Sequence, residues 1–159
     1  MLRYVFVIVL LLSTSLLAGD VVKVANRYED GGGYNKTWKG SGTPKEILHR
    51  GERILARGDG TYCCGFTFTV AMDIAHQRGL LNEATAVQVR KFQKNWYGAN
   101  DDSAETQCVF AAERLGIGSG VSLADAQPGD FIQFWRTNKS GHSVVLLELA
   151  NKGDEIVVI

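Results

Sequence analysis

Residues 61–81 read TYCCGFTFTVAMDIAHQRGLL. Two cysteines, Cys63 and Cys64, stand where a glycine-rich turn (Gly58-Asp59-Gly60) gives way to a helix-like run. Behind them Phe66, Val70, Ile74 and Ala75 recur at helical spacing, and Gly79 is placed to stop the helix. Cys63 is thereby expected at a helix N-terminus. Unpaired backbone N–H groups and the positive dipole end favour a thiolate there. Only the thiolate is a good nucleophile, so this is a physically sensible seat for a reactive cysteine.

A nucleophilic cysteine needs a base, and histidine titrates in the useful range. Residues 127–149, QPGDFIQFWRTNKSGHSVVLLEL, read as a Pro-Gly turn, a strand over 131–135, a polar loop, and a second strand entered through Gly141-His142. Gln133 and Trp135 share one face of the first strand, bordering either the cleft or solvent. Asn151 to Asp154 reads as a turn and Ile156 to Ile159 as a third strand. Helices first and an antiparallel meander last give an α+β class.

Cys63-Cys64-Gly65-Phe66 before a helix resembles the Cys-Ser-Gly-Phe signature of papain-like bacterial cell-wall cysteine peptidases of the NlpC type. Pro128-Gly129-Asp130-Phe131 and Gly141-His142-Ser143-Val144-Val145 resemble later motifs of those enzymes and of the related CHAP amidases, in the same order. The resemblance covers residues 61–159; Tyr62 stands where the family usually carries Asp. It implies a papain-like layout, with the nucleophile helix packed on a small antiparallel sheet that carries the base. It further implies Cys63 as nucleophile, Cys64 in the place of the usual serine, and His142 as base. The third polar group is implied on the strand after the histidine strand: Glu155 by position, with Asp154 and Glu148 as alternatives. The implied substrate is a peptidoglycan peptide or a protein.

The chain has 159 residues, with 17 Lys and Arg against 17 Asp and Glu. One domain with a single core fits that length. Balanced charge gives no support for a nucleic-acid partner. Residues 1–18 read as a signal peptide: Arg3, an apolar run from Val5 to Leu12, and small residues toward Ala18. The run is short for a full span, although an uncleaved anchor is the alternative. A secreted or periplasmic protein follows, with no stable membrane insertion once the signal is removed. Residues 19–42 read as an irregular lead-in, with Val21 to Val24 its only strand-like piece. Residues 43–159 are the hydrolase domain, expected to be truncated because the chain ends inside an apolar strand.

Within that domain Thr43-Pro44-Lys45-Glu46 predicts a capped helix running to about residue 57. Further helices are expected over 82–97 and from a Ser103 cap to Leu115. His49 is expected at the surface or in packing. His76 lies about three turns from Cys63 and away from its thiol. Export leaves two arrangements for the odd cysteine count. In one, Cys64 pairs with Cys108 and Cys63 stays free; in the other, Cys108 is a buried apolar residue of its helix. No metal or other cofactor is expected, since adjacent cysteines lack the spacing of common zinc sites and no phosphate-cradling loop stands out. The expected function is amide hydrolysis through a Cys–His thioester. Acyl transfer would use the same residues, and a non-catalytic binding domain with structural cysteines is the alternative.

Overall fold

The computed structural model describes residues 2–9, 18–28, 33–99, 105–150 and 155–159. The chain is α+β, with four helices and two small antiparallel sheets among the described residues. Strand β1 (Leu2–Val9) and helix α1 (Ala18–Ala25) come first, then β2 (Ile47–His49) and β3 (Glu52–Leu55). Helices α2 (Cys63–Gln77), α3 (Ala86–Trp96) and α4 (Gln107–Leu115) follow. Strand β4 (Ser119–Val121) precedes the closing meander β5 (Phe131–Arg136), β6 (Gly141–Ala150) and β7 (Glu155–Val158). The larger sheet runs β4-β1-β5-β6-β7, antiparallel throughout, and β2 and β3 form a separate hairpin.

Strand alternation divides the core. Phe131 and Val145, facing each other across β5 and β6, point into a cluster with α1, α2, α3 and α4. Ile132 and Val144, the next pair, point to a smaller cluster on the other face with Leu146 and Ala126. Trp96 of α3 is fully buried and meets the Phe131 ring edge-on at 5.1 Å. Helix α3 starts at a capping box: the Thr85 hydroxyl accepts from Gln88 N–H, and the Gln88 side chain accepts from Thr85 N–H.

The expected helix over 43–57 is instead the β2–β3 hairpin. Arg50 (φ 51°) and Gly51 (φ 80°) both take positive φ between the paired His49 and Glu52, which a two-residue hairpin turn demands and a helix forbids. The Thr43 hydroxyl caps no helix; it donates to Ala56 O at 3.0 Å. The strand-like Val21 to Val24 is also corrected, to helix α1. Val21, Val24 and Ala25 are buried together, and their i, i+3, i+4 spacing outweighs the β-branched composition. Residues 2–9, inside the expected leader, form β1 between β4 and β5. The Ser103 cap and Asp154 lie outside the described residues. Among the described residues no helix is long and apolar enough to cross a membrane.

Candidate active site

Cys63 is the first residue of α2. Its helix begins at Tyr62, an extended N-cap whose side chain makes no capping hydrogen bond. The first-turn N–H groups are therefore left for a sulfur or an incoming ligand rather than a cap. The glycine of the Cys-Cys-Gly-Phe stretch has a packing reason. The chain around Gly42 lies so close to α2 that a Cβ on Gly65 would run into the Gly42 backbone. Gly42 itself sits at φ 62° beneath the Tyr62 ring, where a Cβ would collide with that ring. Two glycines thus press the preceding loop against the start of the nucleophile helix.

His142, the second residue of β6, is brought to Cys63 together with Ser143. The Cys63 thiol is held far below the ordinary thiol value. The first cause is a hydrogen bond from the Cys64 thiol. Desolvation works against it, and hydrogen bonds from His142 and the Ser143 N–H, with the His142 charge, add to the lowering. Cys64 is raised because it donates to Cys63 and is buried. Burial likewise raises Cys108, whose S–H points at Gln133 Oε1 at 3.6 Å. All three cysteines are free. No Cys64–Cys108 bridge is present; Cys108 is the buried residue of its helix. The environment gives one thiolate and two retained thiols.

Sequence reasoning left Tyr34 in the lead-in segment, yet its phenol meets both the Cys63 backbone N–H and the thiol. Residues 33–35 are strapped beside the helix entry by Thr61 N–H to Gly33 O (3.1 Å) and Asn35 N–H to Thr61 O (2.7 Å). Tyr34 in turn meets Trp38 edge-on at 5.8 Å, and Trp38 packs on Tyr62 at 5.5 Å. The signal available in sequence was the aromatic spacing alone; the bridge from Tyr34 to Thr61 spans 27 residues and has no local signature.

The thiol opens into a cleft of about 760 Å³, with Tyr34, Tyr62, Phe66, His142 and the cations Arg27 and Arg57 among its walls. That size takes a peptide-sized ligand. No family model, curated relative or solved structure matches the chain.

Glu155 is not brought to His142. It pairs with Ala150, eight residues along β6, a separation of about 26 Å at the usual strand rise. Glu148 is exposed and pairs with Val157, also well along the strand. The reason is chain direction: an antiparallel strand that comes next in sequence after β6 starts at the far end from His142. Among the described residues no carboxylate or amide bonds the imidazole. The ring of Phe134 stacks beside it instead. Gln133, expected on the cleft or solvent face, is buried in the core, its Nε2 donating to Phe134 O at 3.0 Å.

His49 and His76 form a second pair. His49 Nε2 donates to Ala84 O (2.8 Å), so its Nδ1 is the acceptor for His76 Nε2–H at 3.1 Å. The rings are parallel, with centroids 5.4 Å apart. His49 is therefore a packing residue. Among the described residues no group of three His, Cys, Asp or Glu side chains converges as a metal site would require.

Proposed function

We propose that the protein is an exported cysteine hydrolase of papain-like layout that opens amide bonds, with peptidoglycan peptide as substrate class. One observation carries the reading: a helix-start thiol, held as thiolate beside His142, at the wall of an open cleft. The substrate class and the export rest on the motif resemblance and on the leader-like run at the N-terminus.

The chemistry follows from those groups. The proton of Cys63 rests on His142, and the thiolate attacks the amide carbon. The carbonyl electron pair moves onto oxygen, which takes over the Cys63 N–H that the Tyr34 phenol oxygen accepts at rest; the Tyr34 O–H, bonded to the sulfur at rest, is released to it as the sulfur forms its new bond. His142 returns its proton to the leaving amine as the C–N bond breaks, leaving a thioester. Water then gives a proton to His142 and attacks the thioester carbon. The C–S bond breaks, the acid leaves, and the thiolate–imidazolium pair is restored.

The competing reading is a binding domain with an inert thiol. It draws on the lack, among the described residues, of a carboxylate or amide that bonds the imidazole. Iodoacetamide labelling at neutral pH, mapped by mass spectrometry, separates the two. The hydrolase reading expects fast labelling at Cys63 that slows in His142→Ala, and release of amines from wall peptides that Cys63→Ala abolishes. Slow labelling in both proteins would refute it.

A further inference from the structure

Behind the cleft one oxygen joins three elements. Thr67 lies one turn along α2 from Cys63 and is fully buried. Its hydroxyl meets the Trp96 indole of α3 at 3.1 Å, the Ser143 hydroxyl of β6 at 2.9 Å and the Cys63 carbonyl at 3.0 Å. The protons can be assigned. The indole N–H only donates and a carbonyl only accepts, so Thr67 donates to Cys63 O and accepts from Trp96. Its single proton is then committed, and Ser143 must donate to it. One donor and two lone pairs are all in use, in a site closed to water.

Ser143 follows His142 in the chain, and its backbone N–H bonds the Cys63 sulfur. The same residue therefore grips the thiol through its backbone and the nucleophile helix through its side chain. We infer that Thr67 is a positioning residue: its hydroxyl locks the first turn of α2 onto β6 and so sets the Cys63 sulfur against His142. The inference rests on the Cys–His reading above. A merely structural role for Thr67 would touch stability alone, because buried, unpartnered Trp96 and Ser143 groups destabilise whatever the thiol does. A positioning role must also appear in the thiol.

The test measures iodoacetamide labelling of Cys63 against pH in the full chain, with melting temperatures alongside. The groups facing the sulfur are His142, Cys64, Tyr34, Tyr62, Tyr97 and Cys108. All of them are kept in the Thr67 and Ser143 variants. Thr67→Val and Ser143→Ala are each expected to move the labelling midpoint up by about one pH unit, a roughly tenfold loss of thiolate below it. Thr67→Ser, which keeps the hydroxyl, restores the wild-type profile. Variants that melt lower but keep the wild-type midpoint overturn the inference. Should Thr67→Val fail to fold, Ser143→Ala breaks the same bond by deleting one hydroxyl and decides alone. A wild-type protein with an ordinary midpoint, unaffected by His142→Ala, would remove the Cys–His pair and the positioning role together. An intact wild-type response beside an unmoved Ser143→Ala removes only the latter.

Discussion

The imidazole of His142 lies beside the ring of Phe134, with centroids 6.5 Å apart and planes 21° from parallel. The two residues are also direct cross-strand partners on β5 and β6. An apolar ring on β5 thus flanks the imidazole, whereas the hydrogen-bonding third group was expected from β7. Stacking limits rotation of the imidazole without polarising it. Phe134→Ala is expected to slow Cys63 labelling and amide cleavage, whereas Glu155→Gln leaves both unchanged. A loss of activity in Glu155→Gln would contradict the placement of that residue at the far end of β6.

The lowered thiol has a pH signature. A group with a depressed pKa stays ionised until the pH falls through the lowered value. Labelling of Cys63 is therefore expected to be flat from weakly acid to neutral pH, where an ordinary thiol gains about a thousandfold over three units. His142→Ala removes one of the lowering contacts, so its profile should slope. A wild-type profile that climbs tenfold per unit through this range would show that the thiol is not activated.

Gly65 bears directly on the approach of the Gly42 loop to α2. Gly65→Ala forces the two apart. The expected loss is about 1–3 kcal/mol, typical of overpacking, read by denaturant unfolding. Slower Cys63 labelling should accompany it, since the displaced loop borders the helix entry. A variant as stable as wild type would show that the loop gives way freely.

Asp130 carries a pH dependence of the opposite sign to most carboxylates. Burial raises its pKa from 3.8 to about 6, against a hydrogen bond from Gln127 N–H (2.7 Å). The folded state therefore holds the proton more tightly than the unfolded chain. The stability this contributes is present below the unfolded value and is lost as pH rises through about 6. Asp130→Asn keeps the accepting oxygen and removes the buried charge. It is expected to stabilise the protein at neutral pH by about 1 kcal/mol, after allowing for the water that still reaches the carboxyl. The gain should vanish at about pH 4. Equal gains at both pH values would sink this explanation.

The leader reading and strand β1 make different demands. If residues 1–18 are removed on export, a chain beginning at Gly19 must fold and keep its reactive thiol. The site's own elements allow that: β6 pairs with β5 and β7, and α2 packs on β6. Cooperative melting and wild-type labelling of the shortened chain are expected. Loss of cooperative melting would establish β1 as an indispensable strand.

What was legible in the sequence was local. The 3.6-residue spacing behind Cys63, the apolar stripe within 82–97 and the strands on either side of the 137–141 loop are short-range patterns, and each forms its expected element, although the second helix starts only at Ala86. The stretch after Thr43 misled because a capping pattern also fits a loop, and Gly51 was weighed as a weak helix residue rather than as a turn with φ 80°. The Cys63–His142 meeting was foreseen through motif order. The Tyr34 contact, the Thr67 junction and the distance of Glu155 were not, because each depends on where remote segments dock.

Residues 33–40 carry Tyr34 to the wall of the cleft, with Trp38 packed behind it, yet supply none of the buried core side chains. They are fastened to the rest through backbone bonds at Thr61, the Tyr62 hydroxyl that donates to Gly40 O and the packing of Trp38 on Tyr62, and are braced within by the turn that Asn35 makes with Thr37 and Lys39. Beyond Tyr34, this rim of the cleft is thus separable from the body that activates the nucleophile. Side chains at positions 35–40 can be exchanged to admit a different substrate while the thiolate, its histidine and Tyr34 stay as they are. That makes 35–40 the segment on which a library for altered specificity should be built.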